Sequence, residues 1–130
     1  MGRKALIILS LIGLLSSCDS NKDIISNQEA EQNALDQQYQ KILAFVKNHP
    51  TTETTVCKSI ALGSKACGGP QIYLAYPASI DQVQLEKLVT NYTEQESAFN
   101  KKWGITSDCS FVVAPSQVIL ENGSCKTVYP

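Results

Sequence analysis

The stretch VCKSIALGSKACGGPQIYLAY, residues 56–76, decides how the rest of the chain must fold. Its first part, VCKSIAL, alternates loosely between apolar and polar residues, and its last, QIYLAY, is a short run of strand character. Between them GSKACGGP is turn chemistry, with Gly63, Gly68, Gly69 and Pro70 in one bend. Two arms joined this way read as an antiparallel hairpin, which needs other elements to cover its apolar side.

Both flanks carry helical periodicity. Over residues 28–48, Leu35, Tyr39, Ile42, Leu43 and Val46 recur at spacings of three and four, with Gln, Glu and Lys opposite. Pro50 ends this helix, because the residue before a proline is pushed out of the α region. A second helix starts at Ser79 or Asp81 as N-cap and runs to about Trp103, with Gly104 where a left-handed residue is wanted. Its stripe is Leu85, Leu88, Val89, Tyr92, Phe99 and Trp103. Beyond it SFVVAP and SQVIL read as strand, Asn122-Gly123 is a strong hairpin-turn dipeptide, and CKTVY returns. The expected class is α+β: two amphipathic helices packed on a small antiparallel sheet.

The N-terminus follows a different plan. Arg3 and Lys4 precede ALIILSLIGLL, residues 5–15, which carries no charge, and small residues come next. The run is well short of the roughly 20 apolar residues that a membrane-crossing helix needs. Leu15-Ser16-Ser17-Cys18 at its end resembles the lipobox of bacterial lipoproteins. The resemblance implies that residues 1–17 are a signal peptide and that Cys18, alkylated by diacylglycerol and acylated with chains such as palmitate, opens the mature chain. An ordinary secretory signal cut near Ser17 is the alternative. Each buried CH₂ contributes about 0.8 kcal/mol, so two or three acyl chains anchor far better than one. The implied location is the cell membrane or the outer membrane, with the domain outside the cytoplasm, as in the periplasm. Asp19 follows the cysteine; in enterobacteria such a residue tends to keep a lipoprotein in the inner membrane, but other groups do not share the rule, and the leaflet stays open. Polar residues 18–27 then read as a tether, and residues 28–130 as a single domain.

Without Arg3 and Lys4, 9 basic side chains face 12 acidic ones, a formal charge of −3. The lysines are scattered and form no basic patch, which argues against nucleic acid as a partner.

If Cys18 carries lipid, four of the five cysteines remain, and export to an oxidising compartment makes two disulfides their expected use. A strand-like segment over residues 67–77 covers about 33 Å, and a helix over residues 80–103 returns about 35 Å. That brings Cys109 back to Cys67 and leaves Cys57 for Cys125. The sequential pairing, Cys57 with Cys67 and Cys109 with Cys125, ranks second. Paired C-x-x-C ligands are absent, so neither a metal site nor a cofactor is expected.

GSKACGGP, residues 63–70, followed by Tyr73-Leu74, resembles a motif of small exported cysteine-containing bacterial proteins with no assigned activity. Physically, a disulfide, two glycines and a proline make a stiff loop whose backbone can approach another surface, and Lys65, Gly68, Gly69 and Pro70 are its candidate binding residues. Lys65 could enter an acidic cleft. The competing reading is that the glycines only let the chain turn beside its crosslink. His49, the single histidine, reads as a helix-end dipole partner or solvated side chain before it reads as a base or metal ligand. Glu96 lies on the apolar stripe, so it must be paired, protonated or at the stripe's edge; a hydrogen bond to a tyrosine hydroxyl or backbone amide competes with a general acid. Asp108 reads as a turn residue. The glycosylation-like triplets at Asn91 and Asn122 fall mid-helix and in a turn.

No Gly-x-Ser-x-Gly elbow, phosphate loop or His-Glu-x-x-His is present, and no cysteine is left for nucleophilic work. The expectation is therefore a non-catalytic binding module of the cell envelope, an enzyme inhibitor or immunity-type protein. The alternative is a structural or assembly lipoprotein that docks on an envelope complex through its first helix, with Tyr39 and Ile42 in the contact.

Overall fold

The computed structural model describes residues 20–130; the signal region and Cys18 lie outside the described residues. Helix α1 (Ser20–Lys47) turns Leu35 and Ile42 into the core, with Tyr39, Phe45 and Val46 packed against them. It closes before Pro50, where His49 N–H reaches back to Val46 O at 3.2 Å. Its start differs from expectation. The lead expected as a tether is helical from Ser20, eight residues before the apolar periodicity begins. Extending a helix already nucleated by packing adds one hydrogen bond per residue fixed, and Asp23 in the first turn suits the dipole. This extension presents Ile24 and Ile25 to solvent.

A β1 strand (Cys57–Leu62) pairs antiparallel with β2 (Ile72–Pro77), in a register from Cys57↔Pro77 to Leu62↔Ile72. Helix α2 (Gln82–Trp103) follows. Asp81 is its N-cap, the side chain accepting from Gln84 N–H at 3.0 Å. Gly104 is its left-handed C-cap at φ 61°. Leu85, Val89, Tyr92 and Phe99 are its buried stripe. The two helices run antiparallel: Glu31 meets Lys102 and Trp103, and the Tyr39 and Tyr92 rings lie 5.7 Å apart. Ile42, Leu62 and Leu85, one from each of α1, β1 and α2, are fully buried where these elements meet. Of the two residues that the assembly alternative placed in a docking contact, Ile42 is buried in the core and Tyr39 is half-buried against it.

A second hairpin joins β3 (Gln117–Glu121) to β4 (Ser124–Val128) through Asn122 (φ 51°) and Gly123 (φ 73°). Both turn residues are left-handed, as a two-residue hairpin turn of the twist-matching kind requires. The expected class, α+β, holds, but its sheet is two separate two-stranded hairpins. The strand expected at SFVVAP, residues 110–115, is unpaired. Pairing begins only at Ser116, whose N–H reaches Val128 O at 2.9 Å, because Pro115 has no N–H with which to extend the ladder.

Candidate functional site

Two disulfides connect these parts. Cys57 bonds Cys125, tying β1 to β4, and Cys67 bonds Cys109, tying the β1–β2 loop to the segment after α2. These are the pairings that chain length favours over the sequential one. The second bridge organises the exposed end of the molecule.

Its loop is docked on α2 by three polar side chains spaced three and four apart. Thr93 Oγ1 accepts from Gly63 N–H at 3.1 Å, Glu96 Oε2 accepts from Ser64 N–H at 2.6 Å, and Asn100 Nδ2 donates to Ser64 O at 2.7 Å. Tyr92 hydroxyl donates to the other Glu96 oxygen at 3.1 Å. Burial and the neighbouring Glu96 push the Tyr92 hydroxyl up, which keeps it a donor. Glu96 thus makes both of the contacts weighed against a general-acid role. Gly63 is required where the loop meets the helix: at φ 82°, a Cβ there would stand 2.7 Å from Glu96 Oε2.

The chain then places Lys65 inward, its side chain only 10% exposed. Its ammonium donates to Asp108 Oδ1 at 2.7 Å, Ser110 O at 2.8 Å and Ser110 Oγ at 2.9 Å. Three donors meet three acceptors, so this lysine, expected as a residue that could enter an acidic cleft, holds two loops together. Ser110 hydroxyl also bonds Asp108 Oδ2 at 2.8 Å, and its N–H bonds Oδ1 at 3.2 Å. Hydrogen bonds from Lys65 first, then Ser110, hold the Asp108 carboxyl down at about 2. Asp108, expected as a turn residue, holds Ser110 N–H and is also the clasp for Lys65.

Beyond the clasp lies the exposed tip. Ala66, Cys67, Gly68 and Gly69 are all exposed, and the loop closes on itself through Lys65 N–H to Gly69 O and Gly68 N–H to Lys65 O, each 2.9 Å. Gly68 and Gly69 have φ of 94° and 82°, with open space where a side chain would be. On the other side of the bridge Phe111 is 85% exposed and Val113 49%. Sequence periodicity missed Phe111 as a surface feature, having placed it in a strand. It also missed Ser110, Thr93 and Asn100. A usable signal existed for the clasp: once Cys67 and Cys109 are paired, Lys65 and Asp108 flank one crosslink with opposite charges.

His49 sits apart, its Nε2 3.0 Å from Ser79 Oγ, at the edge of a cleft of ≈ 260 Å³ lined by Leu43, Val46, Leu74 and Pro77. Among the described residues no cluster of three His, Cys, Asp or Glu side chains could hold a metal ion, and no helix is long and apolar enough to cross a membrane. The chain matches no protein-family model, no curated protein and no solved structure.

Proposed function

We propose that this chain is a lipoprotein anchored through Cys18 whose domain is a non-catalytic binding module of the cell envelope, of the enzyme-inhibitor or immunity type. One observation carries the reading. The bridge between Cys67 and Cys109, with the Lys65 clasp beside it, holds two loops against each other while they expose Gly68, Gly69 and Phe111. Preorganised loops lose little freedom when they bind, which is where affinity is gained without a large interface. Glu96, Asp108 and His49, the side chains suited to acid–base work, all make hydrogen bonds inside the scaffold.

Affinity capture from the source envelope and medium tests the reading, with the full chain used oxidised and, in parallel, reduced. A soluble enzyme held only by the oxidised chain is the expected result. Recovery of membrane-complex subunits would favour the assembly reading, for which the exposed Ile24 and Ile25 on α1 offer apolar surface.

A further inference from the structure

Residues 111–115 combine three properties. Among the described residues, no hydrogen bond reaches their backbone. None of them has a positive φ, and Pro115 pushes Ala114 toward an extended conformation. Phe111 and Val113 are exposed on either side of a half-buried Val112, and Ala114 beyond them is exposed as well.

Both ends of this piece are fixed. On one side Cys109 is bonded to Cys67 and Ser110 O accepts from Lys65; on the other, Ser116 N–H enters the β3–β4 ladder at Val128. The result is a short stretch with free main-chain donors and acceptors and one large aromatic side chain, held between two anchors. Peptide clefts bind such a chain as an added strand, main-chain bonds supplying affinity and a pocket supplying specificity. So few residues with one dominant side chain suit a cleft with one deep pocket better than a long sheet edge, which reads side chains at alternate positions over a longer register.

We infer that residues 111–114 form a substrate-like segment that occupies the cleft of an endopeptidase whose primary pocket accepts large aromatic side chains, with Phe111 filling that pocket. This rests on the binding-module reading and names its partner class. The fixed ends supply the rigidity that separates an inhibitor from a substrate, since a mobile segment of the same sequence would simply be cut.

The test uses the full oxidised chain, chymotrypsin and trypsin, each followed with a small chromogenic substrate. Competitive inhibition of chymotrypsin is expected, with little effect on trypsin. F111A should raise the inhibition constant about 30-fold or more, the change that follows from losing a central aromatic anchor. F111K should transfer inhibition from chymotrypsin to trypsin, while the melting temperatures of both variants stay at the wild-type value because the side chain is exposed. Absence of inhibition, or cutting after Phe111 at the rate of an ordinary peptide without slowing the enzyme, overturns the inference. So does an F111K chain that inhibits neither peptidase. If an envelope enzyme captured by the oxidised chain binds F111A as tightly as wild type, this inference fails and the binding-module reading stands on another face.

Discussion

Lys65 Nζ and Asp108 Oδ1 lie 2.7 Å apart across the disulfide that joins their neighbours Cys67 and Cys109. The partners are unequal: the lysine side chain is 10% exposed and the aspartate 70%. Water screens the charge attraction on the Asp108 side, so the pair acts through geometry, holding Ser110 and the start of the exposed segment in place.

This pair sets an acid limit on stability. The folded Asp108 carboxyl lies at about 2, below its ordinary 3.8, so it contributes stability above about pH 4 that is lost as pH falls through 2. Glu31 is lowered too, by its bond from Lys102 and then that from Trp103, and acts in the same direction. Melting temperature followed from pH 5 to 2 should fall, and D108N should remove part of that fall. A D108N curve parallel to wild type would show that the clasp contributes nothing to the acid transition.

Gly63 and Gly68 both have positive φ but should respond differently to alanine. G68A meets no atom within 4 Å and carries only the left-handed penalty, about 1–2 kcal/mol. G63A adds a clash with Glu96 and Gln71 and should cost about 2–4 kcal/mol in urea unfolding. Equal losses would mean that the loop is not seated on α2 as described.

Glu96 gives a similar contrast. E96A leaves Ser64 N–H and Tyr92 hydroxyl without their acceptor, at about 1–3 kcal/mol for each donor that stays dry. E96Q keeps one carbonyl acceptor and should lose less. Chemical denaturation of the two variants decides it, and E96Q as damaged as E96A would point to the charge in place of the hydrogen bonds.

In the core, I42A, L62A and L85A should each cost about 2–5 kcal/mol, since these side chains are fully buried. V83A, on the exposed side of α2, should stay within about 0.5 kcal/mol of wild type. Denaturant midpoints of the four variants check the placement of the core.

Much of this architecture was legible from local chemistry. The α2 boundaries follow from Asp81 and Gly104, and the β3–β4 turn from Asn122-Gly123, because caps and tight turns are decided by a few adjacent residues. Disulfide pairing was legible as well, since a strand and a returning helix of similar length bring Cys109 back to Cys67. The start of α1 was not, because residues 20–27 carry no apolar periodicity and extend a helix packed elsewhere. Nor was the unpaired state of residues 110–115: SFVVA has the composition of a strand, and whether a neighbour offers it hydrogen bonds is a property of the assembled fold. Lys65 shows the same gap at the candidate site. A lysine in a glycine-rich loop reads as exposed until the acceptors from 43 and 45 residues further on are in place.

The two disulfides are nested, with Cys67 and Cys109 inside the span closed by Cys57 and Cys125. Any single backbone break between residues 57 and 125 therefore leaves one covalent molecule, its severed ends still tied through a sulfur bridge. A nick beside Phe111 would open the chain without releasing a fragment, and the halves would be held at the high local concentration that favours reclosure over escape.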